Sequence, residues 1–146
     1  MNSTLLSDLN CTSTYRPKTL NPTFNPRPKF VKIFRRARVK ATELTSEFDF
    51  ERKVLQSKDP TVVIFSAPWC IHSVTMKPRM HRLANEFSGR ASVYIVDADK
   101  NTWTRDYVQT YPMIVNYRSG REVCRSSGTV DYSVIKRNLE SELRRR

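Results

Sequence analysis

The sequence has little of what a disulfide-rich, zinc-binding or membrane-spanning protein requires. Its 146 residues include only three cysteines, Cys11, Cys70 and Cys124, at wide spacing. This spacing excludes a disulfide framework and a zinc site of the Cys-x-x-Cys type. No apolar run approaches the roughly 18 residues that a membrane helix needs, so we expect no membrane span. We also predict neither a bound metal nor another cofactor.

Acidic residues are almost missing from the first 40 positions. This stretch holds nine of the 26 Lys and Arg but one of the 14 Asp and Glu, and four prolines fall between Pro17 and Pro28. It lacks the apolar core, roughly 7–15 residues long, of a secretory signal. A Ser/Thr- and Arg-rich, acid-poor composition is typical of organelle transit peptides. We predict a transit peptide over residues 1–40; the alternative is a disordered basic arm that stays on the protein or docks on a partner.

The end of this stretch indicates which organelle the protein enters. Val39-Lys40-Ala41 is similar to the short apolar-x-Ala sites at which chloroplast transit peptides are cut, which favours the chloroplast. The amphipathic segment 30–36 keeps the mitochondrion open as the alternative. Either way, we predict that residues 41–146 form the folded domain and that residues 1–40 contribute nothing to its stability.

Charge beyond residue 40 is nearly balanced. Seventeen Lys and Arg stand against thirteen acids there. Nucleic-acid-binding domains carry a basic face, and the single-strand binders interleave it with aromatic residues. The sequence has no such stripe, so we predict no specific nucleic-acid partner.

Periodicity and turn signals predict an α/β domain. Helix, strand, helix, strand, helix, hairpin and helix follow one another, an order that implies a mixed sheet with helices on both faces. The predicted elements are a helix over 47–56, a strand over 61–66, a helix from about 70 to 87, a strand over 91–97, a short helix over 101–109, a hairpin over 112–126 and a last helix after Asp131. The predicted apolar faces are Phe48, Val54 and Leu55 on the first helix and Val74, Met80, Leu83, Ala84 and Phe87 on the second.

Cys70 lies where the first predicted strand meets the second helix. Unpaired N–H groups and the helix dipole at such a junction favour an anion. They stabilise a thiolate relative to a thiol, and the thiolate is the nucleophile. Cys70 is therefore the candidate for chemistry.

Several motifs together resemble the thioredoxin family over residues 44–143. Ala67-Pro68-Trp69-Cys70 ends the strand, and Pro78 lies eight residues into the helix. Tyr111-Pro112 opens the hairpin, Gly120 lies in its turn and Gly128 follows its second strand. The resemblance implies the thioredoxin fold, a central mixed β-sheet flanked by helices on both faces. It also implies a cis Pro112 and exchange of disulfides with target proteins.

The departures from the family pattern concern the resolving step. Ser73 stands where a dithiol thioredoxin has its second cysteine, and an alcohol cannot form a disulfide. The family's buried Asp and Lys, a proton relay, correspond to Ile64 and Ile95. The chain therefore resembles an atypical monothiol thioredoxin-like protein of plant organelle type. We expect Cys70 to form mixed disulfides with target proteins or with glutathione.

The remaining site residues follow from the same resemblance. We predict catalytic roles for Cys70, His72 and Ser73, with the His72 side chain stabilising the thiolate, so that His72→Ala would raise the Cys70 pKa by about one unit. Substrate would dock on Trp69, Ile71, Tyr111 and Pro112. Cys124 is expected to be a half-buried packing residue.

Two other functions stay open from the sequence. The chain could be a redox-inactive structural subunit or adaptor, since the second thiol and its relay are absent together. An iron–sulfur cluster shared with glutathione is the third reading, but the Trp before Cys70 and the missing glycine after it count against that chemistry.

Overall fold

The computed structural model describes residues 37–145, which form one five-stranded mixed sheet with helices on both faces. The predicted α/β fold class is therefore confirmed. The predictions for Cys11 and for residues 1–36 lie outside the described residues. No helix in the described part of the chain is long and apolar enough to cross a membrane.

The elements follow the predicted order with one addition at the beginning. The strands are β1 (Thr42–Leu44), β2 (Thr61–Ser66), β3 (Ser92–Asp97), β4 (Met113–Arg118) and β5 (Arg121–Ser127). The helices are α1 (Glu47–Phe50), α2 (Ile71–Glu86) and α3 (Tyr132–Arg144). A π-helical segment, Glu51–Leu55, continues α1, and a 3₁₀ helix, Thr102–Asp106, follows β3.

The sheet topology brings the loops after β2 and β3 together. The strand order is β1-β3-β2-β4-β5; β1 and β2 run parallel to β3, whereas β4 is antiparallel to β2 and to β5. Ser66, the last residue of β2, is in register with Asp97, the last residue of β3. Because the carboxyl ends of parallel strands meet at one edge, the Cys70 loop lies beside the loop that follows Asp97.

Two apolar cores hold the helices on the sheet. Val62 and Ile64 of β2 point into the core under α2 and α3, and Val63 and Phe65 point into the core under α1. All four side chains are fully buried, since a central strand covered on both faces has no polar side. β2 is therefore a rigid base for the residues that follow it.

The helix that begins after Cys70 runs through Pro78 to Glu86. Proline inside a helix removes one backbone hydrogen bond and costs about 3 kcal/mol. Met76 and Met80 on either side of Pro78 are fully buried, as are Leu83 and Phe87 farther along. This burial offsets the cost, since each such side chain contributes about 1.5–3 kcal/mol.

Several predicted details are wrong. Val74 is half exposed and Phe48 is more than half exposed, because Met76 and Phe50 take the core positions of their helices. The 47–56 helix changes to π geometry after Phe50, and only five residues of the predicted 101–109 helix are helical. The edge strand β1 carries no pattern of its own, since three residues are too few to show alternation.

Gly120 in the β4–β5 turn is required by its surroundings. Its φ of +73° lies in the left-handed region, and a Cβ there would come within 1.8 Å of the carbonyl oxygen of Leu55. Any larger residue would push the π-helical segment off the sheet. The turn thereby ties the hairpin to the segment after α1.

Candidate active site

Cys70 occupies the N-cap position of α2. The loop 67–69 brings it there from β2, and its N–H donates to the carbonyl of Ala67 at 3.0 Å. Its own carbonyl accepts the first helical bond, from the N–H of Val74 at 3.2 Å. The side chain is half-buried and its thiol is free. The sulfur therefore faces the unpaired N–H groups of the first helical turn.

These N–H groups lower the pKa of the Cys70 thiol below its usual value. The backbone N–H of Ser73 contributes most, and the backbone N–H of His72 and the hydroxyl of Ser73 act in the same direction. Partial desolvation opposes them. The thiolate fraction at neutral pH is raised accordingly, which favours nucleophilic attack on a disulfide.

Ser73 is fully buried, one helical turn after Cys70. Its oxygen accepts the N–H of Ala67 at 3.1 Å, so its hydroxyl hydrogen remains available for the Cys70 sulfur. Ser73 therefore holds the loop on the helix in addition to acting on the thiol. Replacing it with alanine would leave the buried Ala67 N–H without an acceptor, which costs about 1–3 kcal/mol.

Tyr111 and Pro112 lie directly across from the sulfur. The peptide bond between them is cis, the isomer that the family resemblance implies. The Cys70 Sγ lies 3.7 Å from the carbonyl oxygen of Tyr111. The Pro112 carbonyl accepts the N–H of Gly128 at 2.9 Å, which fastens this loop to the end of β5. The backbone before Pro112 is thus brought beside the nucleophile.

Trp69 is largely exposed and forms one wall of the site. Its Nε1 donates to Asp99 Oδ1 at 3.1 Å, and its ring meets the Tyr111 ring edge-on with centroids 6.1 Å apart. An open groove of about 380 Å³ extends from Trp69 and Tyr111 past the exposed Arg105.

Ile71 lies on the other side of Cys70 and is 72% exposed. With Trp69 and the half-exposed Val74 it places three large apolar side chains in solvent within four residues of the sulfur. Most large exposed apolar side chains occur singly and require no explanation, whereas a cluster of them indicates an interaction surface.

The hydrogen-bond partner of the His72 side chain is Thr129 and not the Cys70 sulfur. Its Nδ1 lies 2.9 Å from Thr129 Oγ1, and the ring is exposed. The contribution of His72 to the Cys70 pKa comes from its backbone N–H. The role of the imidazole in stabilising the thiolate, which no hydrogen bond of the ring to a described residue supports, therefore rests on the sequence pattern alone and stays a prediction.

The two isoleucines that replace the proton relay are neighbours. Ile64 on β2 is in register with Ile95 on β3, and they are 0% and 4% exposed. Both belong to the apolar core under α2 and α3. The described side chains at these positions offer no group that could take or donate a proton.

Sequence reasoning missed Asp99 and Thr129. Asp99 follows the end of β3, so the shared edge of parallel strands could have placed it near Cys70. Thr129 lies beyond β5 in a loop without a pattern, and nothing in the sequence indicates it.

Cys124 is half-buried on β5, where the side-chain amide of Asn138 approaches its sulfur to 4.0 Å. Within the described residues, no cluster of three or more His, Cys, Asp or Glu could hold a metal ion.

Comparison with known proteins gives consistent matches. The family model named Thioredoxin matches residues 41–141. The chain is 28% identical over 97 residues to Thioredoxin M4, chloroplastic, of Arabidopsis thaliana; the match covers 65% of this chain and 50% of that protein. It is 27% identical over 107 residues to the chloroplastic M-type thioredoxin of Spinacia oleracea, covering 72% of this chain and 59% of that protein.

The matches therefore span about half the length of these two relatives. Among solved structures, thioredoxin from Trypanosoma brucei brucei superposes with a TM-score of 0.65 at 24% identity, covering 75% of this chain and 96% of that one. This likeness shows the thioredoxin fold.

Proposed function

Because the chain belongs to the thioredoxin family of thiol–disulfide oxidoreductases, we propose that it exchanges disulfides through Cys70 alone. The environment of that sulfur carries the proposal. Cys70 is a half-exposed free thiol with a lowered pKa at the start of α2, and Ser73 occupies the position of the second thiol. The site can therefore attack a disulfide, and because position 73 is a serine, the first turn of α2 offers no second thiol with which to release the product.

The proposed reaction has three exchanges. The Cys70 thiolate attacks one sulfur of a target disulfide; that S–S bond breaks, a Cys70–target mixed disulfide forms, and the second target sulfur leaves as a thiolate and takes a proton from water. An external thiol, such as glutathione, then attacks the Cys70 sulfur of the mixed disulfide, so that the remaining target sulfur leaves as a thiolate and a Cys70–glutathione disulfide forms. A second glutathione restores the Cys70 thiol and leaves as oxidised glutathione, so the two external thiols supply the two electrons that reduce the target.

Trp69, Ile71, Tyr111 and Pro112 are proposed to hold the target segment. Trp69 and Ile71, the sequence neighbours of Cys70, are exposed apolar side chains, and the carbonyl oxygen of Tyr111 lies 3.7 Å from the sulfur. An extended segment lying against this backbone would present its cysteine to Cys70. The recognition is then shared between backbone contacts and apolar side chains.

The first test is the pH dependence of Cys70 alkylation by iodoacetamide. We expect a midpoint below the value of about 8.5 for free cysteine. In place of the rise of about one unit that the sequence suggested, we expect His72→Ala to move the midpoint by less than about half a unit, since alanine keeps the backbone N–H. Thr129→Ala is the matched control, because it removes the ring's partner while His72 stays. A full unit's rise in His72→Ala alone would show that the imidazole acts on the sulfur.

The second candidate is a redox-inactive structural subunit or adaptor. The paired Ile64 and Ile95 favour it, since they occupy the relay positions with side chains that only pack. The same titration separates the two functions. A Cys70 midpoint at or above about 8.5, the value for free cysteine, would remove the case for chemistry and leave the apolar surface around Trp69 and Ile71 as a binding site.

We propose a chloroplast location, with residues 1–40 as the import signal. The acid-poor composition of this stretch supports the proposal, as do relatives named as chloroplastic thioredoxins. A fluorescent protein fused behind residues 1–45 is expected to enter chloroplasts of transfected leaf cells. Fluorescence confined to the cytosol or to mitochondria would contradict the proposal.

The proposed domain boundary at Ala41 predicts a stability difference between two truncations. Among the described residues, a chain that starts at Ala41 loses the exposed hydrogen bond from the Val39 N–H to Asn85 Oδ1. Its thermal midpoint should fall by less than about 4 °C, since 1 kcal/mol moves a domain of this size by roughly 4–8 °C. A chain that starts at Glu47 also loses β1 with the fully buried Leu44, and its midpoint should fall by at least about 10 °C. Equal losses would show that the boundary lies elsewhere.

A further inference from the structure

A second concave site lies on α2, away from Cys70. The segment 38–40 crosses this helix before β1 begins and encloses a cleft of about 370 Å³. The cleft is lined by Arg38, Val39, Lys40, His81, Arg82 and Asn85. Three of these side chains are cationic, and no carboxylate of the described residues lines the cleft.

Two hydrogen bonds from the crossing segment fix the chemistry of the cleft. The Ala41 N–H donates to His81 Nδ1 at 3.2 Å, and the Val39 N–H donates to Asn85 Oδ1 at 3.2 Å. A His81 ring that accepts at Nδ1 is neutral and carries its hydrogen on Nε2. His81 Nδ1 and Asn85 Oδ1 thus each accept a backbone N–H, and the two side chains retain the Nε2–H and the amide NH₂ as donors.

The acid nearest to the cleft on α2 has partners of its own. Glu86 accepts hydrogen bonds from Lys136 and Tyr132, and the Lys136 bond holds the pKa of its carboxyl below the usual range. Arg82 is stacked over the Tyr132 ring, with its guanidinium carbon 4.2 Å from the centroid, which limits the rotation of its side chain. Arg38 and Lys40 are exposed, and no ion pair to a described residue involves either of them.

We propose that this cleft binds a compact oxyanion, namely inorganic phosphate or the phosphate group of a small ester. A site lined by guanidinium, ammonium, imidazole N–H and amide N–H groups has donors and positive charge, and no carboxylate of the described residues competes for them. An anion with several acceptor oxygens satisfies such a set, and charge-assisted hydrogen bonds to phosphate are the strong kind. The site belongs to the uncleaved chain, because Arg38, Val39 and Lys40 precede the proposed boundary at Ala41 and would leave with the import signal. It is separate from the proposed thiol chemistry.

The test is an NMR titration of the full chain with sodium phosphate, sodium chloride at equal ionic strength, and glycerol 3-phosphate. We expect the side-chain signals of His81 and Asn85 to shift saturably with both phosphate compounds and not with chloride. Equal affinity for the two compounds would identify free phosphate as sufficient. Tighter binding of the ester would show that its organic part contacts Val39.

Two double variants with the same change of charge supply the control. Arg38→Gln/Lys40→Gln removes two cations of the cleft and should weaken phosphate binding about tenfold or more, since both side chains can make charge-assisted hydrogen bonds to the anion. Lys77→Gln/Arg90→Gln removes two cations of the same region that do not line the cleft, and should change phosphate binding less than about twofold.

Equal weakening of phosphate binding in both double variants, or equal NMR shifts with chloride, would show charge screening alone and overturn the proposal. Tighter binding of an oligoglutamate peptide than of either phosphate compound would also overturn it, in favour of an acidic protein partner.

Discussion

In an insulin-reduction assay with dithiothreitol, the purified chain is expected to show no multiple turnover at the rate of a dithiol thioredoxin. The reason is the missing resolving thiol: Ser73 is fully buried and bound to the Ala67 N–H, and its oxygen cannot displace the target from the Cys70 mixed disulfide. Insulin turbidity followed over time measures the rate. Turnover at ordinary thioredoxin rates would contradict the single-cysteine mechanism.

Ser73→Cys should raise that rate without reaching the rate of a dithiol thioredoxin. A cysteine at position 73 supplies the resolving sulfur, but Ile64 and Ile95 still provide no group to move its proton. A positioned general base contributes typically 10²–10⁴-fold, so the variant should remain slower by an order of magnitude or more. Ser73→Ala is the matched control: it also loses the bond to Ala67 but gains no thiol, and it should stay inactive. Full activity of Ser73→Cys would show that the relay is dispensable here.

The fold could be predicted because its strongest signals are local. β2 lies at residues 61–66 as predicted, since a short, β-branched apolar run is typical of a strand covered on both faces. The hairpin follows from the turn at Gly120 and the strands on either side of it. β1 could not be predicted, because its three residues are a strand only through their pairing with β3.

The predicted apolar face of a helix is wrong where two apolar residues lie close together in sequence and only one of them is buried. Val74 and Met76 both fit a loose helical pattern, but the rotation of α2 is set by the sheet below it, which selects Met76. The exposure of Val74 therefore depends on packing that no short window contains. The same argument applies to Phe48 and Phe50 of α1.

The candidate site, like the fold, could be predicted only in part. The strand-to-helix junction predicts the thiolate-stabilising position of Cys70 from sequence alone, because the helix N-terminus supplies the N–H groups. The side-chain partners of Trp69 and His72 come from Asp99 and Thr129, which are 30 and 57 residues distant in sequence. Such contacts depend on how loops meet, and this is why the direction of the His72 ring was not predictable.

The second large effect is expected on stability: Ile64→Asp should lower the free energy of unfolding by about 3–5 kcal/mol. The side chain at position 64 is fully buried and faces Ile95, which cannot pair with a carboxylate. Burial should raise the pKa of the new carboxyl above its unfolded value of about 3.9. The folded state then holds its proton more tightly, so the variant should be most stable below about pH 4 and lose stability as the pH rises toward the raised pKa.

Urea unfolding at several pH values measures this change. Ile64→Val is the control for lost packing, with an expected cost of about 0.5–1.5 kcal/mol and no added dependence on pH. Ile64→Asp/Ile95→Lys should be more stable than the sum of the two single changes predicts, by about 0.5–3 kcal/mol, since the two positions are paired in register and opposite charges there would interact. If the costs simply added, Ile64 and Ile95 would not be a coupled pair. A positive coupling would mean that a carboxylate and an ammonium group at positions 64 and 95 can still interact in this core. The two isoleucines would then replace a charged pair that the core can accommodate.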